Sequence, residues 1–173
     1  MKRKITKETL KKATEHLFYE TEMFYQTLTL LTQPRPQIEV NILLDSFAIH
    51  TRNLFDFFYP KQKSKKNPKI KFKKDDMFAF DYVDKPSNFK RDKTKKKDLR
   101  FILRKVDKQV AHLTYTRNRY NPKTKPWPFV DIGRKMSKTL IAFYEALPNS
   151  YKNWTAFKDL KKVIDSMHNN FNT

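Results

Sequence analysis

Gly133 is the only glycine in a chain of 173 residues. Glycine admits positive φ in tight turns and lets a backbone approach a phosphate closely. A chain almost without it cannot build a P-loop or a G-x-G-x-x-G dinucleotide fingerprint, so the nucleotide-loop enzymes are excluded. Punctuation falls instead to nine prolines, and between them apolar residues recur with the 3.6-residue helical period. The expected fold is all-α: a single domain over 1–173, an up-and-down bundle of four to five helices with a long basic loop between helices two and three.

The first predicted helix runs from about Thr6 to Leu31, with Leu10, Ala13, Leu17, Phe24, Leu28 and Leu31 on one stripe. Thr6 is its expected cap, Glu8 lies in its first turn, and Pro34 and Pro36 end it. The second, about Gln37 to Tyr59, puts Val40, Leu44, Phe47, Ala48, Phe55 and Phe58 on one face but Ile38, Ile42 and Ile49 on the other. A helix apolar on both sides is expected to be central. The third, about Lys97 to Arg117, carries Leu99, Leu103, Val106, Val110 and Leu113 at heptad-like spacing. The fourth, about Pro128 to Leu147, has its proline in the first turn, and Pro148 closes it. The fifth spans about Asn153 to Phe171.

Charge narrows the function. There are 38 Lys and Arg against 18 Asp and Glu, a net +20, and the isoelectric point is near 10.0. A polyanionic partner is the first expectation. AT-rich coding also enriches Lys, Asn, Ile, Phe and Tyr, but it would enrich Glu as well, and Glu is scarce here. With 38% apolar and 14% aromatic residues the chain can form a core, which argues against a disordered basic tail. Residues 60–97 hold 15 Lys or Arg against five Asp, +10 in 38 residues. That composition predicts a mobile or surface-draped segment, its Lys71, Lys73, Lys74, Lys90 and Arg91 serving as a clamp on phosphates. Within it, DDMFAFDYV from Asp75 is expected to form a short helical or hairpin plug, because Met77, Phe78, Phe80, Tyr82 and Val83 need somewhere to dock.

The absence of cysteine excludes disulfides, thiolate metal sites and cysteine nucleophiles. No window approaches 18 consecutive apolar residues, and the basic opening is followed by no signal-peptide h-region. A cytoplasmic protein without membrane contact or cofactor is expected.

Helix two holds the most unusual polar group. At about 100° per residue, with Leu44 at zero, Arg52, Asp45, Asp56 and Asn53 fall in one sector between about 80° and 180°. Arg52 and Asp56, four apart, form a structural ion pair on one reading, with the Arg partly buried. On the other reading Arg52 clamps a phosphate and Asp56 orients it. Helix three interleaves bases with aromatics away from its Leu/Val stripe: Phe101, Arg104, Lys105, Lys108, His112 and Tyr115. This pattern suits a nucleic-acid backbone and its bases, or equally a solvated face. Arg117 and Arg119 follow in HLTYTRNR, and His112 beside them is a candidate acid or base. Asp75, Asp76, Asp81 and Asp84 lack any metal-ligand spacing, so no metal site is expected. Glu20, at the edge of the helix-one stripe, is a candidate partner for an Arg, while His16 and His168 read as surface residues.

The segments IHTRNLFDFF, DDMFAFDYV and HLTYTR, between Leu44 and Trp127, resemble small uncharacterised bacterial proteins with a comparable order of motifs. Arg52-Asn53 in a central bundle helix also resembles the signature of HEPN domains. That resemblance implies a four- or five-helix bundle and, in many members, a metal-independent ribonuclease of toxin or defence systems. The family's His one to two turns after the Arg is missing here: Phe57 stands five after Arg52, and His50 precedes it. The expected function is nucleic-acid binding of HEPN-like type, associated with RNA or DNA processing. The alternatives are a ribonuclease using His112 with Arg52, Asn53 and Arg117, and an accessory protein that binds an acidic protein partner.

Overall fold

Helix α1, Lys7–Leu31, begins where Thr6 takes extended backbone angles and its hydroxyl accepts the amide of Thr9 at 3.1 Å. This is the predicted N-cap, satisfying one of the amides that a helix start leaves unpaired. The computed structural model describes residues 5–60, 75–84, 89 and 127–171, and every regular element among them is helical. The all-α expectation is thereby met. At the other end of α1 the Arg35 Nε donates to the carbonyl of Leu30 at 3.0 Å, and its Nη1 donates to Glu39 at 3.1 Å. One side chain thus ties the α1 terminus to the first turn of α2, Gln37–Phe58.

The C-terminal helices begin after proline. Pro128 caps α3, Phe129–Ala146, rather than lying inside its first turn. Pro148 caps a short α4, Asn149–Lys152, and α5 spans Thr155–Phe171. The fifth helix, expected from about Asn153 to Phe171, is thus present as one piece, and the short α4 is an added turn in the stretch read as the end of helix four. α1 packs along α2 and α5, and α5 also packs on α3. Buried threonines line these approaches: Thr14, Thr21, Thr51 and Thr139 each donate to the carbonyl four residues back. Each of these four hydroxyls is thereby satisfied on its own helix.

Aromatic rings fill the centre. Phe143 of α3 is fully buried and meets Phe57, Phe58, Tyr82, Phe89 and Phe157 at ring separations of 5.5 to 6.2 Å. Such edge and tilted arrangements add to area burial. The plug predicted at Asp75–Val83 is present as a single 3-10 turn, Ala79–Asp81. Phe78, Ala79, Tyr82 and Val83 are buried, and Asp81 accepts the amide of Phe78 at 3.0 Å. Tyr82 donates to the carbonyl of Leu10 at 3.1 Å, fastening the plug to α1. Burial pushes its phenol up to about 12, so it remains a donor across the neutral range.

The lone glycine has a packing role. A Cβ at Gly133 would stand 2.5 Å from Cδ2 of the fully buried Leu28, so any other residue there requires the Leu28 side chain to shift.

One expectation fails. Helix α2 is not apolar-covered on both sides: Phe47, Ala48, Leu54, Phe55, Phe57 and Phe58 are buried, but Ile38, Ile42 and Ile49 are 66%, 63% and 54% exposed. Hydrophobicity on a second face shows what a helix could bury, not what is packed against it. The helix predicted over 97–117 and most of the basic loop lie outside the described residues.

Candidate functional site

Helix α1 is amphipathic, yet Glu20 sits between Leu17 and Phe24, three and four residues from two fully buried side chains. On α2, His50 sits three after Phe47 and four before Leu54, on the edge of the buried face. Packing α1 on α2 brings these two polar interruptions to one height. His50 Nδ1 lies 2.7 Å from Glu20 Oε2, and Asn53 Nδ2 donates to the same oxygen at 3.1 Å.

A carboxylate oxygen already accepting from an amide is the acceptor in this trio, so Nδ1 carries the proton and a neutral ring holds its lone pair on Nε2. The ring of Tyr19 stands edge-on to His50, with centroids 5.7 Å apart at 80°. His50 is thus held on one side by a carboxylate and on another by an aromatic ring, with only 9% of its side chain exposed. An imidazole oriented through Nδ1 by a carboxylate is an arrangement that can accept or release a proton at Nε2.

The Arg52-Asn53 pair is divided between two surfaces. Asn53 turns toward the α1 seam and Glu20. Arg52 Nε lies 3.9 Å from Asp56 Oδ2 on the outer face, with the two side chains 44% and 52% exposed. The pair is therefore a surface ion pair rather than an internal one, since its sector faces away from the rings of α3 and α5. Exposed pairs of this spacing contribute at most a few tenths of a kcal/mol, about 0.3–0.5. Glu20 is a second correction: among the described residues its partners are His50 and Asn53, and no Arg. His16 and His168 are exposed, as expected. Among the described residues no group of three or more His, Asp or Glu is placed to hold a metal ion, and no helix is long and apolar enough to cross a membrane.

The remaining predicted residues, His112, Arg117, Arg119, Phe101, Arg104, Lys105, Lys108, Tyr115, Lys71, Lys73, Lys74, Lys90 and Arg91, lie outside the described residues. Their charge is still informative by subtraction. The described residues hold 12 Lys and Arg against 15 Asp and Glu, a net −3 in a chain of +20. The helical body is slightly acidic. Residues 61–74 and 90–126 supply 22 Lys and Arg against three Asp.

The trio at the α1–α2 seam was missed because it depends on two residues 30 apart. The only signal for it in the sequence is a polar residue interrupting the inward stripe of each helix. No protein-family model matches the chain, and neither a curated protein nor a solved structure matches it.

Proposed function

We propose that this chain binds nucleic acid, RNA or DNA, through phosphate neutralisation by the lysines and arginines of residues 61–74 and 90–126. One observation carries the reading: residues 61–74 and 90–126 carry net +19 in a chain of +20, while the described residues are net −3. Concentrated cations release more counterions from a polyanion than the same number spread evenly, and an acidic body confines the polyanion to them. Interleaved Phe101 and Tyr115 add stacking surfaces. Neutralising about six phosphates gives a slope near −5 for log affinity against log salt on duplex, and a shallower one on single strands. Fluorescence titration of labelled duplex and single strand at two salt concentrations measures it. Absence of binding at low salt, or binding indifferent to salt, refutes the reading.

A second reading is favoured by the Glu20–His50 contact: a metal-independent ribonuclease of HEPN-like type. In it His50 takes the acid–base role first assigned to His112 and Arg117 holds the scissile phosphate, because Arg52 faces outward with Asp56. Its test is cleavage of RNA in EDTA. His50→Ala removes the activity if His50 carries the proton, and His112→Ala removes it if the first assignment is right.

A further inference from the structure

The outer face of α2 has a regular pattern that neither reading uses. Ile38, Ile42, Asp45, Ile49, Arg52 and Asp56 follow one another at spacings of four, three, four, three and four. This is the stripe that one helix offers to another. The three isoleucines are each more than half exposed, and Asp45, Arg52 and Asp56 are exposed beside them. We propose that a second copy of this chain covers the stripe, its α2 laid antiparallel on the first about a two-fold axis at Ile49. Such a dimer depends neither on nucleic-acid binding nor on catalysis.

The stripe is complementary to itself in that register. Two antiparallel helices related by a two-fold axis keep each residue on the same flank of the seam, and residues equally far from the axis in opposite directions meet. Asp45 and Arg52 stand four before and three after Ile49. With Leu44 at zero they fall near about 100° and 80°, on one flank, so each Asp45 meets Arg52 of the other copy. Ser46 and Asn53 stand three before and four after Ile49. They fall near about 200° and 180°, on the opposite flank, where a hydroxyl and a carboxamide can hydrogen-bond. Between the flanks Ile49 packs on its own copy, Ile42 enters between Asn53 and Asp56 of the other α2, and Ile38 reaches Pro60 past its end. Asp56 retains Arg52 of its own helix 3.9 Å away, so each Arg52 joins two carboxylates.

Neighbouring registers fail. Setting Ile42 on Ile49 of the other copy brings the two Asp45 carboxylates together. Setting Asp45 on Ile49 presses a carboxylate against methyl groups and removes it from water without a partner. The axis at Ile49 is the register in which the charged positions of the stripe meet opposite charges and the isoleucine at its centre meets itself. A seam one helix long, about 30 Å, is at the small end of specific interfaces, so dissociation in the micromolar range is expected.

The test is sedimentation velocity on the full-length chain from about 1 to 100 µM, after nuclease treatment so that no nucleic acid bridges two copies. The unaltered protein is expected to pass from monomer to dimer over this range. Asp45→Arg and Arg52→Asp each set like charges against one another at two places, and each alone is expected to weaken association at least about tenfold. Mixed in equal amounts they are expected to associate again, because every Arg then meets an Asp. Both positions are exposed, and circular dichroism verifies that helicity is kept. The chain has no cysteine, so single introduced cysteines report the axis without background. Under mild oxidation Ile49→Cys is expected to form a disulfide-linked dimer, whereas Ile42→Cys, whose two copies stand about 20 Å apart along the seam, is not. A protein that stays monomeric throughout, charge variants that do not recover on mixing, or equal cross-linking of the two cysteine variants overturns the proposal. The first of these outcomes assigns the stripe to a different protein.

Discussion

Two regions of this molecule divide its chemistry. The helical body has rings packed around Phe143, Thr14, Thr21, Thr51 and Thr139 bonded to their own helices, and slightly more acid than base. Residues 61–74 and 90–126 have 22 Lys and Arg against three Asp. A net charge of +20 would oppose compaction if it ran through the body, because like charges at helix–helix separations repel. Segregating the charge lets an aromatic core form at low electrostatic cost.

The comparison can be broken at several points. The largest effect is expected from Phe143→Ala, which removes a fully buried ring meeting five others and should lower unfolding free energy by about 3–5 kcal/mol in urea titration. Nucleic-acid affinity per folded molecule should stay unchanged; a parallel loss of affinity would show that the two regions are not separable. Next is combined replacement of Arg104, Lys105, Lys108, Arg117 and Arg119 by Gln. Affinity at low salt should drop by about 100-fold or more and the salt slope flatten by about four, while stability holds. Replacing Lys158, Lys161 and Lys162 of the body instead should change affinity by less than about threefold.

Smaller effects sharpen the description of the body itself. Glu20→Ala leaves His50 Nδ1 and the Asn53 amide without their shared acceptor and should cost about 1–3 kcal/mol. A cost near zero would mean that the seam admits water and the trio is not held. Tyr82→Phe should cost about 1 kcal/mol at neutral pH. The native phenol titrates at about 12 against an ordinary 10.0, so the folded state holds this proton more tightly than the unfolded state. Its contribution is complete below pH 10 and is lost as pH climbs toward 12. The Phe variant should therefore show a shallower alkaline loss of stability. Smallest is Arg52→Gln, below about 0.5 kcal/mol, because its ion pair with Asp56 is exposed.

Much of the helical architecture was legible in residue order. Thr6, Pro36, Pro60, Pro128 and Pro148 mark element boundaries because capping and the missing proline N–H act locally. The docking of Tyr82 and its neighbours was legible because a run of large apolar residues in a charged stretch has nowhere else to go. The Glu20–His50–Asn53 trio was not, since nothing local says which two helices will share a seam. For the same reason residue order alone offers Glu20 an Arg and one reading of Arg52–Asp56 as a partly buried pair.

By itself the sequence determined that the chain is helical, where its helices start and stop, and that its cations exceed its acids. These follow from short-range backbone preference and from counting. The tertiary structure decided that α2 hides its phenylalanines and leaves its isoleucines open, that Gly133 lets α3 close on Leu28, and that two polar interruptions meet across α1 and α2. Each of these depends on the relative placement of helices far apart in the chain, which is set by how their rings and methyl groups fit together.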